Sequence, residues 1–283
     1  YGDHRDLHSF PTRRSSDLQV EGLDALEVHE SGSLESRLIE KLEAARRMLH
    51  TEQLAPEVGE PVAVVAAALA RMAARGMVAN PVPDRWVGDT TWSEAREQVL
   101  GAAREYAERH PARYGVLKGE LKSGLKAKLD AALFDAAFAA LLAERAIEVT
   151  ADRVRPAGAP WSPPAATLAE LERLEGLLEA DGYLVPDNDA WAKTLGAAAA
   201  DAAGLGFFLQ RLVRVDGQFT YTTRQIDRLR EQVAAWFDAD HAALTVADFR
   251  GFTGASRKYA VPLLEYADRA GWTVRVGDER RRG

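Results

Sequence analysis

FRGFTGASRKYAVPLLEYADRAGWTVRVGDERRRG, residues Phe249–Gly283, is the stretch that decides the fold. A short helix leads to a tight turn at Thr253–Gly254. A second helix opens with Ser256, Arg257 and Lys258 and ends at Gly271. The spacing then predicts a strand over Trp272–Val276, a turn at Gly277–Asp278 and a returning strand over Glu279–Arg281. Helix, turn, basic helix and hairpin make a winged helix, which presents one helix and one β-hairpin to a nucleic acid.

Working outward, the same pattern recurs four times, with copies near sixty residues long. The first copy has Leu34, Leu38 and Leu42 at helical spacing, Thr51 as an expected N-cap and Val62–Arg75 as the long helix, stopped by Gly76. Its wing is expected at Met77–Ala79 and Arg85–Val87. In the second copy Ser93 is expected to cap a helix reaching His110, Lys118–Leu129 to form the next, and Asp130 to cap a third. That third helix carries a stripe of Leu133, Phe134, Ala137, Phe138, Leu141 and Leu142. Strands are expected at Ile147–Val149 and Arg153–Arg155, followed by the stiff linker Ala159–Pro164. The third copy has Leu168, Leu171, Leu174 and Leu178 on one face, then strands at Val213–Val215 and Phe219–Tyr221 about an Asp216–Gly217 turn. Helix Thr223–Asp238 leads into the fourth. The expected architecture is mainly α with small β-hairpins: elongated, tandem winged-helix domains at 33–90, 91–160, 161–222 and 223–283. The competing expectation is an all-helical array.

Residues 1–18, YGDHRDLHSFPTRRSSDL, show no apolar periodicity. Back-translated in one frame, they fit the DNA of a common short-read sequencing adapter at every codon. They are set aside from the fold as an artefact. Residues 19–32 read as a linker or the remnant of an upstream domain, and the natural chain is expected to start near Gln19 and to be truncated upstream.

Composition bounds the rest. Of the 283 residues, 47% are apolar and 28% charged, as in ordinary soluble protein. No apolar run is long enough to span a membrane. Cysteine is absent, which removes disulfides, thiol nucleophiles and cysteine-based zinc sites, and suits the cytoplasm. The net charge of −7 is unevenly spread. From Thr245 onward eight basic residues face five acidic ones, and residues 19–244 carry −10. An acidic body with a basic tip points to nucleic acid at one end.

Catalytic motifs are missing. There is no G-x-x-x-x-G-K-[ST] phosphate loop, and Gly204-x-Gly206 lacks a dinucleotide fingerprint, reading instead as a helix break beside packed Phe207 and Phe208. The histidines are isolated, and Asp187–Asn188–Asp189 reads as a turn and cap rather than a calcium loop. No metal and no catalytic residue is expected.

Were the nucleic acid an A-form RNA, its major groove would be too deep and narrow for a helix to read, and a winged helix would have to hold phosphates and catch unpaired bases. Ser256, Arg257 and Lys258 open a helix, where free N–H groups and the dipole favour phosphate. Arg275 and Arg280, on opposite wing strands, are candidates to hold the other side of a stem. Tyr259 is a candidate stacking platform, although Tyr259, Leu263 and Tyr266 share the spacing of a core face. Pro262 predicts a kink or a later helix start.

The wording of the tip closely resembles the end of the bacterial selenocysteine-specific elongation factor (SelB) family, at Asp248–Phe249–Arg250, Thr253–Gly254, Ser256–Tyr266, Asp268–Arg269, Gly271 and Arg275–Asp278. The resemblance implies a translational GTPase ending in four winged helices, the last holding an mRNA hairpin that recodes a stop codon as selenocysteine. It further implies GTP and Mg on upstream domains, selenocysteyl-tRNA and the ribosome as partners of the full-length protein, a cytoplasmic location and a monomer. The alternatives are a winged-helix DNA-binding transcription regulator, which would be expected to carry basic groove-facing helices in several modules, and a protein-interaction scaffold.

Overall fold

Four times along the chain, helices give way to a short antiparallel strand pair. The computed structural model describes residues 34–158 and 160–283; the adapter-like stretch and residues 19–32 lie outside the described residues. The four small sheets exclude an all-helical array.

The first module comprises α1 (34–45), β1 (Leu49–His50), α2 (Thr51–Val58), α3 (Val62–Ala74), β2 (Val78–Val82) and β3 (Arg85–Gly88). Leu34, Leu38 and Leu42 are buried against Leu54, Val65, Leu69 and Met72. Gly76 ends α3 at φ 71°, a backbone conformation that costs glycine no Cβ clash. Thr51 is not the cap. His50 takes that place, because the Thr51 hydroxyl donates to Asp84 Oδ1 at 2.5 Å and accepts from Trp86 Nε1 at 3.0 Å. β1 adds a third strand, in the order β1-β3-β2.

Helix α4 (Asp89–Arg109) starts four residues before Ser93. Its cap comes from α1: the Glu43 carboxylate accepts from the Thr90 and Thr91 amides at 3.0 and 3.1 Å and from the Thr91 hydroxyl at 2.6 Å. Burial pushes this carboxyl up, but the bonds from Thr91 and Thr90 outweigh it and hold the group below its ordinary range. Next come β4 (Val116–Leu117), α5 (Lys118–Leu125) and α6 (Ala131–Ala143), which Asp130 caps through Ala132 and Leu133. β5 (Ile147–Thr150) and β6 (Arg153–Pro156) complete a β4-β6-β5 sheet. Leu142, placed by sequence on the apolar stripe of α6, is instead exposed.

The third module holds α7 (Ala165–Glu179), α8 (Asn188–Leu195), α9 (Ala199–Phe208), β7 (Leu212–Arg214) and β8 (Thr220–Thr222). Asp187 caps α8 through the Ala190 amide at 2.9 Å. Gly204 and Gly206 do not break α9. A Cβ on Gly206 would come within 2.5 Å of Leu212 and 2.8 Å of Leu171, so this glycine lets the helix pack on its neighbours. The fourth module follows without a gap: α10 (Thr223–Asp238), α11 (Val246–Thr253), α12 (Arg257–Arg269), β9 (Thr273–Val276) and β10 (Glu279–Arg282).

Contacts divide the chain into two compact units. One contains 34–102 and 119–147; the other contains 103–118 and the chain from Glu148 onward. Within the second unit one core runs through the third and fourth modules, from Leu171, Leu174 and Trp191 by way of Phe219, Tyr221 and Leu229 to Phe249 and Leu263. Gln225, fully buried at the start of α10, donates to the Leu178 carbonyl at 2.7 Å and so ties α10 to α7. In the same unit Tyr114 stacks on Phe208 at 4.8 Å, and Trp161 meets both rings edge-on at 5.5 and 5.6 Å. Arg113 pairs with Asp201 at 3.0 Å beside them.

Candidate nucleic-acid interface

The fourth module's helix-turn-helix is fixed by its caps. Thr245 and Asp248 form a capping box at the start of α11, and the hydrogen bonds from Thr245 hold the Asp248 carboxyl below its ordinary range. At the far end the Thr253 hydroxyl donates to the Phe249 carbonyl at 2.6 Å and accepts from the Ala255 amide at 3.2 Å. Gly254, at φ 69°, turns the chain into α12.

Ser256 is the N-cap of α12 in extended conformation, and its side chain makes no capping bond. The helix therefore starts where the sequence placed it, with Arg257 and Lys258 in its first turn, and runs through Pro262. Pro262, the sixth residue of α12, costs the helix the bond to the Lys258 carbonyl without ending it. Arg257 is exposed and forms no ion pair among the described residues. Lys258 is exposed too, its Nζ 5.3 Å from the Phe219 ring centroid and 5.5 Å from that of Tyr259. Arg250, in the last turn of α11, is a further exposed cation. Sequence reasoning includes it in the charge of the tip without singling it out; its place beside a helix-turn-helix turn is the signal that could have found it.

Two of the sequence candidates have other work. Tyr259 is half-buried, its ring tilted against that of Phe219, just before the third module's returning strand, at 4.9 Å, so one side of the ring is packed against protein. Arg280 is only 4% exposed, and its Nε donates to Asp268 Oδ2 at 3.0 Å. The other Asp268 oxygen accepts from the Thr273 hydroxyl at 2.6 Å, and the Arg280 backbone pairs with Leu244. A guanidinium held in this way anchors the wing to α12 and is not presented to a ligand. Arg275, opposite Arg280 in the register, is exposed and donates to the Gly277 carbonyl at 3.0 Å. Outside the wing face, Arg281 is exposed opposite Val274, while Arg282 pairs with Asp238 at 2.7 Å. Trp272 lies under the wing, edge-on to Tyr266 at 5.6 Å.

The surface left for a ligand comprises the open N-terminus of α12, Arg257, Lys258, Arg250 and Arg275. Such a surface can bind phosphate oxygens through amides, one compact ammonium and forked guanidinium groups. Among the described residues no cluster of histidine, aspartate and glutamate can hold a metal ion, and no helix is long and apolar enough to cross a membrane.

Residues 235–282 match a family model described as "Elongation factor SelB, winged helix", the one for that family's third such domain. Residues 100–155 match the model of its second, under the same description. Over these two stretches the chain is similar to SelB winged-helix domains. It is also similar to the selenocysteine-specific elongation factor of Desulfomicrobium baculatum, with 31% identity over 103 residues, 35% of this chain. The matched part spans 16% of that relative's length. Among solved structures, the crystal structure of a bacterial selenocysteine-specific elongation factor, EF-Sec, overlays 77% of the chain and 33% of its own at 17% identity and a TM-score of 0.41. The mRNA-binding domain of SelB from E. coli, solved in complex with SECIS RNA, overlays 42% and 95% at 24% identity and a TM-score of 0.35. The SelB match covers the whole helix-turn-helix and wing of the tip, where the unpaired cations lie.

Proposed function

We propose that this chain is the RNA-binding arm of a selenocysteine-specific translation elongation factor, and that its tip holds the mRNA hairpin at which selenocysteine is inserted. The observation that carries this reading is the coincidence of a SelB winged-helix match over residues 235–282 with a turn whose exposed cations form no ion pair among the described residues. The four modules, divided at 33–90, 91–160, 161–222 and 223–283, would act as a spacer with one binding end. The arm contributes no catalytic group. GTP with its Mg ion, and selenocysteyl-tRNA, would be bound by other domains of the same cytoplasmic, monomeric factor. Tethering would then raise their effective concentration at the ribosome decoding that message.

Ser256, Arg257, Lys258 and Arg275 are the proposed contacts, and Arg250, exposed beside the turn, is proposed with them. Tyr259 would serve by setting the place of Lys258. A gel shift comparing a bulged RNA hairpin with duplex DNA tests the reading. Preference for the hairpin is expected. Preference for the duplex would instead favour a DNA-binding regulator, and salt-independent or absent binding to both would favour a protein scaffold.

A further inference from the structure

The helix-turn-helix of the second module carries a charge pattern that the tip does not use. Lys118, Lys122, Lys126 and Lys128 fall within eleven residues, opposed there by Glu120 alone, in a body that is otherwise acidic. Lys122 is engaged, with Asp135 at 2.6 Å and the Phe134 ring at 5.6 Å. Lys126 and Lys128 are exposed in the turn between α5 and α6 and form no ion pair among the described residues. Gly119 and Gly124 lie on α5, and a Cβ at either would meet nothing within 4 Å, so the helix surface beside the lysines is open.

That turn occupies the same place in its module as the Gly254–Ser256 turn that delivers Arg257 and Lys258 at the tip. The corresponding turn of the first module is Gly59–Glu60–Pro61, and that of the third runs through Gly196–Ala198; neither contains a cation. Apolar anchors are missing from the lysine turn: Leu121, Leu125 and Leu129 all point into the core. Protein interfaces draw their affinity from buried apolar and aromatic anchors, whereas phosphate binding needs only charge and access.

We propose that the α5–α6 turn is a second RNA-contact surface, taking the phosphate backbone of a structured RNA through Lys126 and Lys128 without reading its sequence. The proposal rests on the tip's assignment only for the premise that this turn of the module faces RNA. Lysine supplies a point charge rather than a fork, so the contact is tolerant of geometry and of base identity.

The test is a salt titration of the whole chain with a blunt RNA duplex of unrelated sequence. Lys126→Ala with Lys128→Ala should lower the affinity about tenfold at low salt and reduce the log–log salt slope by about 2, as expected when two phosphate-binding charges are removed. Lys126→Arg with Lys128→Arg should restore both. In the Arg257→Ala, Lys258→Ala background the same lysine-dependent fall should persist, which separates this surface from the tip. Unchanged affinity and slope in the alanine variant would overturn the proposal. Lysine-dependent binding of a polyglutamate peptide with no lysine-dependent binding of RNA would overturn it too, in favour of an acidic protein partner.

Discussion

Arg275 and Arg280 stand directly opposite each other on the wing and have different fates. Arg275 is in solvent near the hairpin turn. Arg280 is buried, its guanidinium locked to Asp268 and its backbone to Leu244. The same division runs through the whole second unit. Arg211 makes a forked pair with Glu175, itself only 7% exposed, and Arg113 pairs with Asp201, while Arg250 and Arg257 form no ion pair among the described residues. A cation can serve a ligand only where the fold does not already supply its counter-ion. Net charge does not reveal this; the partners of each side chain do.

The largest expected break in that contrast comes from the wall on which the tip rests. Phe219→Ala removes a fully buried ring that supports Tyr259 and Lys258. It should cost about 3–4 kcal/mol in urea denaturation and loosen the third and fourth modules together, because they share one core. A transition in which the third module melts while the fourth stays folded would contradict the shared core. Next is the direct comparison across the wing. Arg280→Ala leaves Asp268 without its partner and should cost about 2–3 kcal/mol, whereas Arg275→Ala should stay within about 0.5 kcal/mol and weaken RNA binding instead. Equal stability costs for the two would erase the distinction.

A smaller effect concerns a carboxylate with a fixed role. Glu43→Gln should lower stability by about 1 kcal/mol at neutral pH through the weakened cap of α4. Because the folded carboxyl titrates below its ordinary range, its contribution is fully present above the unfolded pKa. It fades as pH falls through the folded value, so the difference between wild type and variant should shrink in acid. A gap that stays constant down to strongly acidic pH would show that the charge is not what caps the helix.

Local signals were legible in the sequence. Thr223–Asp238 is a helix over its whole expected length, Asp130 and Asp187 cap as their side chains predict, and the leucines of α1 face the core. What escaped depends on distant partners. The two-residue strands β1 and β4 exist only because β3 and β6 pair with them. The start of α4 is set by Glu43, a residue more than forty positions upstream. At the site, Ser256, Arg257 and Lys258 could be placed from the turn and the cap. Arg280 could not be told from Arg275, since an alternating strand shows which residues share a face but not where an acid such as Asp268 waits. Tyr259 had the spacing of a core residue, and its packing on Phe219 agrees with that reading over the stacking one.

The most direct test of the central claim is the salt dependence of binding to a bulged mRNA hairpin, measured for the chain and for its Arg257→Ala, Lys258→Ala variant. If these two cations of the α12 turn bind phosphate as proposed, removing them should weaken binding about tenfold and reduce the log–log slope by about 2, with the fold unchanged. An unchanged affinity and slope would contradict the assignment of the tip's free cations to RNA.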